Sequence, residues 1–379
     1  MAADLTIRPT NTPKERREFI RSWWRIYAND PYWVPPLISE REAFLDPKRN
    51  PFYEHADVAL FMAERNNQPV GTIAAFINHR HNEYHEEKTG FFGFFETIQD
   101  YSVAEGLLNT ARDWVKARGM ERLRGPANYS TNEECGLLVD GFDSPPVILM
   151  TYNPRYYVDF IERYGMVKAM DIFAYHVDKS LLGPNGEFPP RLVKLVERVK
   201  KRGHVTVRKI DRKHFDQEVE RIKVLYNAAW SRNWGFVPMT DAEIDHLAEG
   251  LKQIADFDIV FIAEANGEPI GFSLTLPDMH EVLYHIRDGR LFPTGWLKFL
   301  WYRRKITRVR IFALGVLEKY RGTGGDILLY YETAKAALKK GYSQAEMGWV
   351  LECNDLMNRG VISLGGRKYK TYRFYEMAV

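Results

Sequence analysis

The sequence predicts an α/β protein made of two tandem domains of one plan. Three observations carry this expectation. Apolar segments of strand character alternate with segments of helical period, the pattern of layered α/β domains. Segments of the first half recur, in the same order, in the second half of the 379-residue chain. Between the halves lies SLLGPNGEFPP (180–190), a Pro- and Gly-rich stretch that reads as a linker. The expected domains are therefore residues 1–182 and 183–379.

LTIRPT (5–10) reads as a strand and Pro13 to Tyr27 as a helix; VTVRKID (205–211) and a helix near Lys213–Trp230 are their counterparts. DVALFMAERNNQPVGTIAAFIN (57–78) and DIVFIAEANGEPIGFSLTL (258–276) each read as strand, polar turn, Pro, Gly and strand, which is a β-hairpin pattern. Residues 90–119 and 311–341 each run strand, loop and helix, and each helix stops at Lys or Arg followed by Gly. Residues 153–177 and 354–376 are Asn-led helices that end at Gly and enter an alternating strand. The shared order is β-α-ββ-β-α-β-α-β. A helix rich in Lys and Arg (191–202) opens the second half.

Composition narrows the classes. Forty-five per cent hydrophobic and 27% charged residues suit a folded globular chain. A net charge of +3 gives no expectation of a nucleic-acid partner. Cys135 and Cys353 are far apart in sequence and suggest neither a disulfide framework nor a zinc site. No uncharged apolar run approaches the roughly 20 residues that span a bilayer. The N-terminus has no apolar signal core, so a reducing cytoplasm is the expected compartment.

The most informative stretch is LGVLEKYRGTGGDILLYYETA (314–334). An apolar strand, a glycine-rich turn and a helix start make an anion nest, because glycines let backbone N–H groups converge on one point. Lys319 and Arg321 beside it suit a diphosphate. Coenzyme A carries one, with an arm that hydrogen-bonds like a peptide. The strand 311–317 could pair with that arm as an added strand would. A backbone N–H on it could hold a thioester oxygen as negative charge develops.

Residues 311–376, supported by the hairpin 258–276, resemble the GNAT acyltransferase superfamily. Its phosphate-loop pattern is Arg/Gln-x-x-Gly-x-Gly/Ala. Arg321 and Gly324 match it, and Asp326 stands at the last place beside Gly325. A carboxylate there suits an N-cap. Asn354, in GWVLECN, matches the family's asparagine at the next strand–helix junction. The family's tyrosine acid, seven residues later, is Val361 here.

The resemblance implies two tandem domains, each a mixed, mostly antiparallel sheet flanked by helices, and acyl transfer from acetyl- or longer acyl-coenzyme A to an amine, without a metal. The coenzyme contacts it implies are Leu314, Val316, Lys319, Arg321, Gly322, Thr323, Gly324 and Gly325. The first half's FFETIQDYSVAEG has no glycine turn, and its Asp100 would repel a phosphate. One coenzyme site is therefore expected, in the second domain, with a degenerate first domain shaping the acceptor cleft. PYWVPPL (31–37), GFFGFFE, LRGPANYSTNE, LVDGFDSPP and KTYRFYE resemble a two-domain bacterial branch that includes proteins implicated in N-acylating a sphingoid base to ceramide. A large, partly apolar amine is the acceptor this implies.

An amine must be neutral to attack, and a carboxylate can take its proton. Glu352 is expected on the strand that ends at Asn354, so the two share a face by alternation. Glu352 is then the expected base and Asn354 its neighbour; the plain alternative is a surface acid.

Other groups have competing readings. NHRHNEYHEEKTG (78–90) offers imidazoles and carboxylates, but a solvated loop is favoured over a metal site. The long polar loop 123–146 places Glu134, and the following chain Tyr152, where they could meet a cationic amine. Trp230 and Trp234, at i and i+4, read as core packing or as a wall for an apolar acceptor. Residues 293–310 have aromatic and aliphatic side chains and six cations from Lys298 to Arg310 with no acid. They suit a helix packed on its own domain, or peripheral contact with the inner face of a membrane. Two rival functions remain: an inactive acyl-coenzyme A-binding module, favoured by Val361, and an aminoacyl-tRNA-dependent transferase, which would not need the phosphate loop.

Overall fold

The structure, a computed structural model, describes residues 5–183 and 186–379. Pro184 and Asn185, in the expected linker, lie outside the described residues. The chain groups into two units: residues 1–172, 282–302 and 370–379 form the first, and 173–281 and 303–369 the second.

In chain order the first unit contains β1 (Leu5–Pro9), α1 (Pro13–Ile26), α2 (Ile38–Phe44), β2 (Ala56–Arg65), β3 (Gln68–Asn78), α3 (His79–His85), β4 (Thr89–Thr97), α4 (Tyr101–Lys116) and β5 (Arg122–Gly125). The short strands β6 (Ala127–Asn128), β7 (Glu134–Cys135) and β8 (Leu137–Asp140) follow, then α5 (Tyr156–Arg163) and the start of β9 (Val167–Asp178). Residues 123–146, expected as a loop, thus carry four short strands with turns and irregular chain between and after them. Local chemistry explains the boundaries. Thr12 and Glu15 form a reciprocal capping box with Pro13 in the first turn of α1. Asn66 and Asn67, at φ 52° and 58°, make the two-residue turn of the β2–β3 hairpin. The sheet is antiparallel from β1 to β4, parallel between β4 and β5, and packs Ile73, Ala75 and Phe92 against Leu107, Leu108 and Ala111 of α4.

The second unit takes the end of β9, then α6 (Pro190–Arg202), β10 (Thr206–Lys209), α7 (Phe215–Ala229), α8 (Asp241–Ile254), β11 (Phe261–Ala265) and β12 (Glu268–Pro277). The chain returns to the first unit after the start of α9 (His280–Leu283), for α10 (Gly295–Arg303); the second unit resumes with β13 (Arg308–Val316), α11 (Gly325–Lys339), β14 (Gln344–Leu351), α12 (Asp355–Ser363) and the start of β15 (Arg367–Ala378). Its strand order is β9-β14-β13-β12-β11-β10. The β11–β12 hairpin repeats the first hairpin in detail. Asn266 and Gly267 turn at φ 53° and 82°, and a register shift follows Ala263, as one follows Ala63. Val199, Ile270, Val316, Leu328 and Leu329 join the core under α11.

Two features depart from a simple tandem array. The chain passes between units within β9 and again within β15, and the end of β15 pairs antiparallel with β5 in the first unit. The basic stretch 293–310 is not one helix: α10 ends at Arg303 and β13 begins at Arg308.

Candidate active site

The phosphate-loop candidate spans Leu317 to Gly325 in the second unit. Leu317 donates its N–H to Ile270 O at 2.8 Å, which fixes the end of β13. A single 3-10 turn (Glu318–Tyr320) leads to Arg321, Gly322 at φ 79° and Gly324 at φ 93°. Thr323 Oγ1 donates to Tyr320 O at 2.7 Å, and Arg321 Nη2 donates to Ala229 O at 3.2 Å. Gly324 is the N-cap of α11 and supplies no capping side chain. The first-turn N–H groups of a helix have no acceptor within it, so those of α11 remain available to an anion. Asp326 does not cap, contrary to expectation. It sits in the first turn, exposed, where an acid favours the helix dipole.

Beside this loop the two central strands part. β13 and β14 are paired in parallel only from Arg308↔Gln344 to Ile311↔Met347, yet they continue to Val316 and Leu351. Opposite β12 the register slips at Leu274/Thr275 and leaves Phe312 as an extra residue on β13, a bulge that bends the strand. Leu317 N–H points to β12. Amides alternate along a strand, so those of Val316 and Leu314 point to the edge that β14 has left.

The first unit closes every counterpart of this site. Between Ile98, which donates to Val70 O at 3.0 Å, and the start of α4 lie two residues, Gln99 and Asp100. Between Leu317 and α11 lie seven, 318–324. Asp100 Oδ1 caps α4 by accepting from Ser102 N–H at 2.9 Å, and its other oxygen pairs with Arg65 at 2.7 Å. The expected phosphate repulsion is therefore accompanied by a filled helix start. The parting of β4 and β5 is occupied: Asn128 Oδ1 accepts from Phe94 N–H at 2.8 Å, and a Cβ on Gly93 would lie 1.7 Å from Ala127 O. Thr97 N–H, the counterpart of Val316 N–H, donates to the Tyr157 hydroxyl at 2.7 Å.

The remaining candidates divide. β14 ends at Leu351, so Glu352 stands in a turn and not on the strand. The alternation argument that put it on a face with Asn354 does not hold. Asn354 caps α12, accepting from Met357 N–H at 3.2 Å, while Asn358 donates to the carbonyls of Leu351 and Glu352. Val361 is buried against Tyr175, Met347 and Val350, so its place is core. α7 ends at Ala229, which takes Trp234 off the helical spacing. Trp230 packs on Phe272 at 5.7 Å and over Gly315, where a Cβ would meet its ring at 2.6 Å. In the first unit, Glu134 pairs with Arg41, and the Tyr152 hydroxyl donates to Asp30 at 3.0 Å. His81 contacts Glu87 at 3.3 Å, and among the described residues no group of three or more His, Cys, Asp or Glu is arranged to hold a metal.

Sequence reasoning missed one pair. Arg310 and Glu346 face each other across β13 and β14, one step before the strands part. They are 1% and 0% exposed and 3.3 Å apart, and neither Glu346 oxygen accepts a hydrogen bond from a described residue. Arg310 Nη2 donates to Gly348 O at 3.3 Å, and a Cβ on Gly348 would lie 2.5 Å from Glu346 Oε1. Burial outweighs Arg310 and pushes the Glu346 carboxyl up to about 7. The signal in the sequence was a charge inside each of two largely apolar strands.

Comparison with known proteins follows this geometry. No family model matches the chain. It is 40% identical over 385 residues to the bacterial ceramide synthase of Caulobacter vibrioides, covering 100% of this chain and 98% of that protein. It is 35% identical over 361 residues to protein YghO of Escherichia coli, covering 93% and 90%. The tandem GNAT protein from the clavulanic acid biosynthesis pathway superposes with a TM-score of 0.59 at 11% identity, over 99% of this chain and 98% of that one. A GCN5-related N-acetyltransferase from Sphaerobacter thermophilus gives 0.55 at 12%, over 99% and 95%. At such identities the two solved structures speak to the fold alone.

Proposed function

Because this chain belongs to the family of the bacterial ceramide synthase of C. vibrioides and has the fold of tandem GNAT proteins, we propose that it moves an acyl group from coenzyme A to an amine carried on a lipid, a sphingoid base being the leading acceptor. One contrast carries the reading: the second unit keeps open the helix start and strand edge that the first unit fills with Asp100, Asn128 and Tyr157. In this reading the first-turn amides of α11, with Gly322, Thr323, Gly324, Gly325, Lys319 and Arg321, hold the diphosphate. The amides of Leu314 and Val316 hold the pantetheine arm as a neighbouring strand would. Asn354, at the far side of the parting, faces the reacting end.

Thiol release from acyl-coenzyme A, followed over a panel of long-chain and short amines, tests this. Release that depends on a long-chain amine is expected. Coenzyme binding without release for any amine would favour an inactive binding module, the reading that buried Val361 supports by leaving no tyrosine at the usual acid position.

The finer part of the proposal is peripheral membrane contact. No helix among the described residues is long and apolar enough to cross a membrane. α10 instead lies out on the surface: Trp296, Leu297, Leu300 and Trp301 are 42%, 55%, 52% and 57% exposed, and Phe292 precedes them at 76%. Helical spacing puts the four on one face. The flanking charges are Arg290, Lys298, Arg303, Arg304 and Lys305, with no acid among residues 289–307. Arg308 and Arg310, expected to join them, are paired inward with Asp278 and Glu346. An aromatic face edged with cations fits an anionic lipid surface. Sedimentation with vesicles containing anionic lipid is expected to carry the wild type down. Trp296→Ser with Trp301→Ser should bind at least about ten-fold more weakly. Equal sedimentation of both proteins would refute the contact.

A further inference from the structure

Closing the coenzyme position in the first unit did not require a carboxyl, yet one is there. The β3–β4 register matches Gly71 with Thr97 and Thr72 with Glu96; the β12–β13 register matches Gly271 with Val316 and Phe272 with Gly315. Both hairpins carry Pro-x-Gly at 69–71 and 269–271. Glu96 therefore stands where the second unit has Gly315. The residue over Gly315 is Trp230, the C-cap of α7; the residue over Glu96 is Tyr27, the C-cap of α1. A glycine–tryptophan contact in one unit is a carboxyl–tyrosine contact in the other.

The surroundings of Glu96 are lopsided. Oε2 accepts from the Tyr27 hydroxyl at 2.7 Å and from the Tyr157 hydroxyl at 2.8 Å. Oε1 accepts from none of the described residues, although the side chain is only partly exposed. Burial raises the carboxyl to about 8, the two hydroxyls oppose that, and no cation among the described residues adds to them. Asp30, which holds the Tyr152 hydroxyl, acts with Glu96 on Tyr27 and Tyr156, so a second carboxylate is near. Two cations recorded against the neighbouring groups serve those groups: Arg155 acts on Tyr152, and Arg287 donates to the carbonyls of Trp33 and Asp30. Tyr27 stacks on Trp33 at 4.8 Å and lies 6.2 Å from the Tyr152 ring. A desolvated carboxylate with one oxygen unused, beside electron-rich rings, is complementary to a cation that carries N–H donors.

We propose that Glu96 binds a primary ammonium group, which meets Oε1 beside Tyr152 and Tyr156. The binding does not depend on the function proposed above. Two tyrosine hydroxyls fix the carboxylate, so the ammonium finds its partner already oriented.

A proton count distinguishes this from a structural role. A carboxyl raised to about 8 is mostly protonated at pH 7, and an ammonium ligand favours its ionised form. Binding should therefore release close to one proton at pH 7, and affinity should rise with pH towards 8. The measurement is calorimetry of the full chain with a long-chain primary amine, in two buffers of different protonation heat, beside the alcohol of equal chain length. Glu96→Gln is expected to weaken the amine at least ten-fold, abolish proton release and leave the alcohol unchanged. Equal amine affinity, or parallel loss of amine and alcohol, overturns the proposal. If Glu96→Gln does not fold, Tyr27→Phe serves: losing one donor to the carboxylate should move the pH midpoint of amine binding upward, and an unmoved midpoint overturns the proposal. Glu96-dependent amine binding without thiol release would sink the transfer reading and leave this one standing.

Discussion

Replacing Gly322 by Asp is expected to weaken acyl-coenzyme A binding by about 100-fold or more, the scale of losing charge-assisted hydrogen bonds to a diphosphate and adding a like charge beside it. The fold should survive at a cost of about 1–2 kcal/mol. Gly322 has φ 79°, which asks for a residue tolerant of the left-handed region, and a Cβ there meets nothing within 4 Å. Asp tolerates that region better than most residues, at about 1–2 kcal/mol. Gly324 is the more obvious target from its place in the motif, but it is a poor one. Its Cβ would lie 2.5 Å from Val199 on α6, so loss of binding there would be entangled with repacking of the helix. Gly322→Asn is the control, since it keeps shape and removes charge. Calorimetric titration with coenzyme A should show the Asp variant far weaker than the Asn variant. If the two bind alike, the diphosphate does not sit at this turn.

The parts of this molecule that were legible in the sequence are those fixed by neighbours in the chain. Asn66-Asn67 and Asn266-Gly267 announce hairpins because few residues accept positive φ at both turn positions. The glycine turn before α11 could be read for the same reason. α8 was not read as an element, although Thr240 and Glu243 make a capping box at its start. What stayed hidden depends on distant partners. Glu352 was placed on a strand because nothing local shows that β14 stops at Leu351. The run from Lys298 to Arg310 looked like one basic face until Arg308 met Asp278 and Arg310 met Glu346. The return of β15 to pair with β5, and the plugging of the first unit by Asn128, are pairings across long sequence separations. Hydrophobic period cannot report them.

Removing one member of the Arg310–Glu346 pair should be among the most damaging changes in the second unit. Glu346→Ala leaves a guanidinium 1% exposed without its carboxylate, a situation that destabilises by about 3–5 kcal/mol. Replacing both, Arg310→Met with Glu346→Leu, removes the two desolvated charges together, so the double variant should recover most or all of that loss. Denaturant titration of the two single variants and the double variant closes the cycle. Near-additive losses would mean that the two side chains do not depend on each other. The pH dependence gives a second check with a definite sign. The Glu346 carboxyl is raised to about 7 in the folded chain, above the ordinary carboxylate value. Its contribution is therefore fully present below the ordinary value and is lost as pH rises through about 7. The double variant lacks this titration, so its stability relative to wild type should improve from pH 5 to pH 8. The position of the pair makes the result informative about function. It sits one register step before β13 and β14 part, so a double variant that is stable yet binds coenzyme A weakly would show that the pair sets where the strands separate. One that binds normally would leave that separation to the Phe312 bulge alone.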